Sequence, residues 1–413
     1  FHTPIGKFEG IEEPLARIGG NLYMMDAARA MTAGAIDLGE KPSVISAIVK
    51  YHLTERGRAI VNDAMDILGG KGICLGPNNF MGRSYQQLPI AITVEGANIL
   101  TRNLIVFGQG AIRCHPYVLK EMDAARNDDL PAFDAALFGH MRHVLANEAR
   151  ALFMALTGSR LVPVPAGAAP HTRRYYRHLT RLSAALAYAA DISMLSLGGS
   201  LKRRERISAR LGDVLSMLYL SSATLKRFED DGRQESDLAL LHWCLQDALA
   251  RAADALHSAL ANFPVRPIGA FLRLVIFPLG RRFAPPSDAL GHQVARLLIA
   301  PSATRDRLSA GMYLPKAESD PLGCLEAALD AAISAEAIEA KIRAANKAGT
   351  IRGKGPDELA QAALAAKVIS GEEQALLKRA AQLRDEVIRV DHFPQDLGRS
   401  EAIRPPQPQR AAA

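Results

Sequence analysis

The sequence predicts an all-α protein, on three observations. The composition favours helix: 413 residues that are 48% hydrophobic but only 6% aromatic, rich in Ala and Leu rather than Val, Ile and Tyr. Apolar residues recur at intervals of three and four, the spacing of one buried helical stripe. Glycines and prolines fall mainly between long periodic segments, where they stop helices. At roughly 100–200 residues per domain, the length accommodates at least two compact bodies.

The first helix is expected from Phe8 to about Leu38, with Leu15, Ile18, Leu22 and Met25 as its inner stripe. Gly39-Glu40-Lys41-Pro42 ends it, because Pro42 disfavours helix before itself and suits a first turn after. A second helix runs from about Ser43 to Leu68, with Ile45, Ile48, Val49, Ile60, Ala64 and Ile67 facing inward, and Gly69-Gly70-Lys71-Gly72 stops it. An irregular connection follows, through Gly76-Pro77-Asn78-Asn79, before Glu95-Gly96 leads into a third helix from Ile99 to about Ile112. That order reads as an antiparallel bundle. Residues 117–157 and 175–262 are expected to be helical, divided by the Pro- and Ala-rich linker 163–170. Apolar residues in 263–286 are interrupted by Arg266, Arg273, Arg281 and Arg282; about 321–391 is again helical, and 401–413 reads as a disordered tail.

The formal charge of +7 is local. Residues 1–112 carry ten Lys/Arg and ten Asp/Glu, whereas 171–210 carry nine Lys/Arg against Asp191 and Glu205. A solvated helix face is the ordinary account of such a patch, with Asp213, Glu229 and Asp230 as available partners. Four scattered cysteines with no C-x-x-C pair, and no His placed to complete a zinc site, give an expectation of a reducing setting and no metal. No run of about 18 uncharged apolar residues suggests a spanning helix.

Three local patterns can carry chemistry. Gly69 and Gly70 at a helix end serve either as a C-cap or as a stretch of backbone that a ligand pyrophosphate can approach. Glu95, just ahead of a helix, is either a surface carboxylate favoured by the helix N-terminus or a base. Arg102, seven residues on, reads by itself as a salt-bridged helix residue.

Taken together, these patterns resemble the acyl-CoA dehydrogenase family over residues 1–112. The matching strings are Ile5-Gly6-Lys7 at the entry to the first helix, Ile67-Leu68-Gly69-Gly70-Lys71-Gly72 after the second, then Glu95-Gly96 and Arg102-Asn103-Leu104-Ile105. The segments 6–15, 92–102, 108–116 and 198–212 are similar to the bacterial fatty-acid-degradation branch, which carries a large C-terminal extension. The resemblance implies a helical-bundle domain over 1–112 and a helical extension over 113–400, with an N-terminal helical domain and a β-domain expected before Phe1. It implies FAD as cofactor, with Gly69 and Gly70 on its edge and Glu95 as the base that removes the α-proton of a fatty acyl-CoA. It also implies electron transfer to an electron-transferring flavoprotein, and a homo-oligomer. The sequence departs from smaller family members at His2, Asp66, Ala97 and Ile99, which stand in place of Arg, Gln, Thr and Gln.

Two other readings belong beside this one. One is an acyl-CoA oxidase-like enzyme on the same fold. The other is a non-catalytic scaffold or membrane-docking module, drawn from the basic cluster Lys202, Arg203, Arg204, Arg206 and Arg210 and the apolar segment 268–279. Nucleic-acid binding is not expected, since no helix-turn-helix signature is present. The expected location is the cytoplasm, with the inner membrane surface as a peripheral site.

Overall fold

The computed structural model describes residues 4–76 and 79–390, apart from the Gln109 side chain; the expected tail at 401–413 lies outside them. Among the described residues all regular structure is helical. The described residues form two compact units, one drawn from 1–63 and 87–308 and the other from 64–86 and 309–413. The first unit combines helices from both sides of residue 112, because the earliest helices pack on the middle of the chain.

The opening helix, α1 (Glu9–Asp37), and α2 (Ser43–Leu68) lie where the Gly/Pro punctuation puts them. The buried face of α1 is not the expected one. Leu15, Ile18, Leu22 and Met25 are only half-buried, and the inner face is Ala16, Gly19, Gly20, Tyr23, Met24, Ala27 and Ala28. Small residues let α1 approach its neighbours closely: a methyl group on Gly20 would lie 2.0 Å from the Trp243 ring. Along α2 the buried positions are Val44, Ile48, His52, Arg56 and Asp63, so polar side chains occupy a face expected to be apolar.

After α2 come three short helices, α3 (Gly70–Ile73), α4 (Met81–Gln87) and α5 (Pro89–Thr93). The third expected helix is interrupted: α6 (Asn98–Leu100) passes into a π-helical turn, Thr101–Val106, before α7 (Phe107–Arg113). Next are α8 (Val118–Arg126), α9 (Leu130–Leu156) and α10 (Arg173–Leu197), the last ended by Gly198 at φ +48°. Asp129 caps α9 by accepting from the Ala132 N–H at 3.0 Å, with Pro131 in the first turn, as expected of a helix start.

Helices α11 (Glu205–Asp230), α12 (Leu238–Ala261), α13 (Arg266–Ile276), α14 (Asp288–Leu298) and α15 (Ala303–Leu308) complete the first unit. Its core joins α1, α10, α11, α12 and α14 through residues such as Tyr23, Leu186, Leu220, Leu241, Leu256 and Val294. By length and composition Arg173–Arg203 is apolar enough to cross a membrane; half of an apolar 18-residue stretch within it is buried.

The apolar segment 268–279 is half core. Leu272, Val275 and Ile276 are buried in α13, while Phe271 and Leu274 face outward. Lys202, Arg203, Arg204 and Arg206 are exposed, and the acids expected opposite the patch pair elsewhere: Asp213 with Arg102, Glu229 with Arg233 and Asp230 with Lys226.

The second unit is built on α16 (Pro321–Lys347), α17 (Pro356–Ala365) and α18 (Gly371–Ile388), around Ile338, Ile342, Ile351, Ala363 and Ile369. A reciprocal capping box starts α18: the Ser370 Oγ accepts from the Glu373 N–H at 3.1 Å and the Glu373 carboxylate from the Ser370 N–H at 2.8 Å.

The close approach of α1 to Trp243 yields a prediction. Gly20→Ala should overpack the contact and destabilise the fold by about 1–3 kcal/mol. Trp243 is the chain's single tryptophan, so its fluorescence in a urea titration reads the effect directly. An unchanged midpoint and emission would contradict the packing described.

Candidate active site

Glu95 stands in a turn between α5 and α6. Val94 leaves α5 with its N–H still bonded to the Ile90 carbonyl at 3.1 Å. Glu95 then takes the left-handed conformation at φ +56° and Gly96 follows at φ +100°. Glycine meets this requirement freely. A glutamate there is held against its preference, at a cost of order 1 kcal/mol, and persists where its surroundings fix it.

Residues of α2 fix it. Lys50 Nζ donates to the Gly96 carbonyl at 2.6 Å and to Asn98 Oδ1 at 2.5 Å, while Asn98 Nδ2 donates to Thr54 Oγ1 and Glu55 Oε1, both at 2.8 Å. Asn98 is itself buried. The turn is thus pinned on both sides of its glycine. The Glu95 side chain is exposed, and no hydrogen bond or ion pair joins its carboxylate to a described residue. Its sequence neighbours Ile90, Val94 and Ile99 are exposed as well, at 62%, 49% and 78%. An unpartnered carboxylate bordered by open apolar side chains is suited to meeting an apolar ligand that carries a removable proton.

Beside this turn a shallow pocket of about 210 Å³ is lined by Tyr51, Glu55, Asn98, Ile99, Arg102 and Asn103. Arg102 lies in the π-helical turn, a local geometry often found at functional positions. Its guanidinium forks onto Asp213, Nε to Oδ1 at 2.8 Å and Nη2 to Oδ2 at 2.5 Å. This pair raises the Arg102 pKa, and burial pushes the Asp213 carboxyl up against the pull of Arg102. Arg102 is therefore the salt-bridged residue that its sequence context suggests, and it ties its turn to α11.

Gly69 and Gly70 belong to the second compact unit and Glu95 to the first. Gly69 caps α2, its N–H reaching the carbonyls of Met65 at 2.9 Å and Asp66 at 3.2 Å, and adopts φ +60°, ψ −141°, a conformation essentially restricted to glycine. Both glycines are exposed, and a methyl group on either would meet no atom within 4 Å. Beyond them Asn79 gathers the carbonyls of Lys71 and Gly72, each at 2.9 Å, and accepts from the Met81 N–H at 3.0 Å. His2, one of the departures noted above, lies outside the described residues.

A family model for the acyl-CoA dehydrogenase C-terminal region, bacterial type, matches residues 112–393, and one for the acyl-CoA dehydrogenase C-terminal domain matches residues 1–108. The chain belongs to the acyl-CoA dehydrogenase family. Among solved structures, its fold is similar to that of an acyl-CoA dehydrogenase complexed with FAD from Bacillus anthracis, with a TM-score of 0.53 at 16% identity over 72% of this chain and 50% of that one. A 3-(aryl)acrylate reductase of Clostridium sporogenes is 30% identical over 105 residues, which are 25% of this chain and 27% of the reductase. The matches thus span half or less of either relative. In this member of the family, Glu95-Gly96 and the Gly69-Gly70 pair both fall within the span of the C-terminal domain model.

Sequence reasoning missed two groups. Lys50, Thr54 and Glu55 hold the Glu95 turn from more than 40 residues away. His115, His140, His143 and Asp191 are brought together by three separate segments. The available signal for the second was His140 and His143, three apart on one helix.

The clamp on the turn is testable. Lys50→Met removes a charged donor from two acceptors, an interaction of about 1.5–3 kcal/mol. Amide hydrogen exchange across residues 95–101 should accelerate roughly tenfold to a hundredfold, with little change in the α12 core. Unchanged exchange would show that Lys50 does not hold the turn.

Proposed function

We propose that this chain is the C-terminal part of a flavin-dependent dehydrogenase that converts a fatty acyl-CoA to the trans-2-enoyl-CoA, the opening step of β-oxidation, with Glu95 as its base. Family membership supports the class of reaction. The observation that carries the residue assignment is the Glu95 turn: a left-handed glutamate, pinned through Lys50 and Asn98, whose carboxylate has no partner among the described residues.

The chemistry asks for such a group. A hydrogen on the carbon beside a thioester is too weakly acidic to leave to neutral water, so a positioned carboxylate must take it while donors polarise the carbonyl. Glu95 would accept that proton, and its backbone N–H would serve the carbonyl oxygen. The exposed side chains of Ile90, Val94 and Ile99 offer apolar contact to an acyl chain.

The family's FAD, when bound, supplies the acceptor for the β-hydrogen as hydride. Gly69 and Gly70 fit one edge of that group, since their exposed backbone leaves room for a pyrophosphate to approach. An electron-transferring flavoprotein is the proposed electron acceptor and a second copy of the chain the proposed structural partner, in the cytoplasm. The outward Phe271 and Leu274 of α13, near Arg266 and Arg273 in sequence, support peripheral contact with an anionic membrane.

The base and the electron acceptor are tested by experiment. In the full-length protein, Glu95→Gln should retain FAD and acyl-CoA binding while flavin bleaching by substrate slows by about 10²–10⁴. Bleaching at the wild-type rate would remove Glu95 from the base position. Reoxidation by an electron-transferring flavoprotein but not by oxygen is expected; fast reoxidation by oxygen would favour the oxidase reading.

A further inference from the structure

Helix α10 opens with arginines that meet no acid. Arg173, Arg174, Arg177 and Arg181 lie within its first three turns, and its first turn carries no acidic residue. Cations at the positive end of a helix dipole repel it and one another. Their hydrogen bonds go to neutral groups. Arg173 Nε donates to the Ala168 carbonyl at 3.3 Å, Arg174 Nη2 to the Tyr175 hydroxyl at 2.5 Å beside His242, and Arg177 Nε to the Val162 carbonyl at 3.3 Å.

Arg181 is the member that sets this run apart from a solvated face, because it is 5% exposed. Its guanidinium lies over the Phe283 ring at 5.2 Å, and its Nη2 donates to the Ile276 carbonyl at 3.4 Å, at the end of α13. The negative end of a helix dipole amounts to about half a unit charge. Arg181 pairs with no carboxylate among the described residues, and a buried charge without a partner costs stability. Its Nε and Nη1 have no acceptor there either, yet both stay open to solvent, unlike the sealed Arg56 Nε.

The surroundings are positive on every side that acts on this group. Burial lowers the Arg181 pKa and the charge of Arg282 lowers it further. His178 stands edge-on to the same Phe283 ring at 5.2 Å, with its Nδ1 buried and without a partner. Burial, then Arg181, Arg174 and Arg177, hold its pKa down to about 4, so the ring is neutral at neutral pH. Arg282 is exposed and donates only to the Leu279 carbonyl, at 3.3 Å, whereas the adjacent Arg281 is already paired with Asp254.

We propose that Arg181, Arg282 and His178 form a binding site for a phosphate monoester dianion. Two guanidinium charges without acids are balanced by two negative charges, and the free Nε–Nη1 edge of Arg181 matches a pair of oxygens on one phosphorus. The neutral His178 ring supplies a further N–H. Arg174 and Arg177 add attraction without direct contact. Bound there, the dianion neutralises the buried charge of Arg181 and fastens the segment after α13 to α10. A soluble phosphate ester and the headgroup of phosphatidic acid present this same chemistry.

The test uses the full-length protein and one probe for each source. Glycerol 3-phosphate is titrated by calorimetry at an ionic strength held constant with chloride, and vesicles of phosphatidylcholine with or without phosphatidic acid are used for flotation. Binding of at least one probe is expected, with slowed amide exchange in residues 277–284. Arg181→Met should weaken it about 10–100-fold and Arg282→Met about tenfold, since a hydrogen bond between charged groups is lost in each. Arg206→Met, in the other basic cluster, should leave binding unchanged. Calorimetric binding makes a soluble ester the ligand; flotation on phosphatidic acid alone makes it a lipid headgroup. If Arg181→Met fails to fold, by circular dichroism, exposed Arg282→Met decides. Neither probe binding, a folded Arg181→Met that binds like wild type, or an equal loss in Arg206→Met overturns the site.

Discussion

Arg56 imposes the constraint around which the first unit is organised. Its guanidinium is buried, and burial pulls its pKa below the ordinary arginine value while Asp247 pulls it back. A charge in that position holds only if polar partners surround it. It donates to Asn21 of α1, approaches Met217 Sδ of α11 at 3.7 Å and pairs with Asp247 of α12 at 3.7 Å, while Asp247 also receives Arg251 at 2.8 Å. Four helices from widely separated parts of the sequence must meet for these contacts to form. At the two ends of its first-unit portion α2 is further held by Val44 and Ile48 against Val106, and by Asp63, which receives Arg17 of α1 at 2.7 Å.

The consequence reaches the candidate site through α2. One face of that helix is committed to the buried network, and another presents Lys50, Thr54 and Glu55 to the turn that carries Glu95. The same turn leads into the π-helical segment, where Arg102 is locked to Asp213 of α11. The site is thus supported from the middle of the chain as well as from its first hundred residues. The boundary between the two family models, near residue 110, is a boundary in sequence; in packing, α1 shares one core with α10, α11 and α12, and Val49 and Leu53 of α2 pack against it.

Much of the helix plan was legible because glycine and proline act locally. Gly39 and Pro42 bound α1 and α2, and Gly69 ends α2 whatever the tertiary context. The choice of buried face was not legible. Large apolar residues dominate any periodicity count, whereas α1 buries Gly19, Gly20 and Ala27 because close helix approach rewards small side chains. The polar stripe His52, Arg56 and Asp63 runs against the hydrophobic pattern, and for Arg56 and Asp63 it is partners more than 30 residues away, Asn21 and Arg17, that make burial tolerable. Glu95-Gly96 was readable as a motif; its clamp was not, since Lys50 meets Gly96 only in the fold. The gathering of His115, His140, His143 and Asp191 likewise depends on tertiary packing.

The central claim is that the carboxylate on the left-handed turn removes a proton from carbon. The most direct measurement is α-hydrogen exchange in deuterated water, using the full-length protein with FAD and an acyl-CoA analogue that can enolise but cannot be oxidised at the β-carbon. Mass analysis should find α-deuterium incorporated by the wild-type protein and the rate reduced by about 10²–10⁴ in Glu95→Gln. Equal incorporation by the two proteins, with analogue bound to both, would contradict the account.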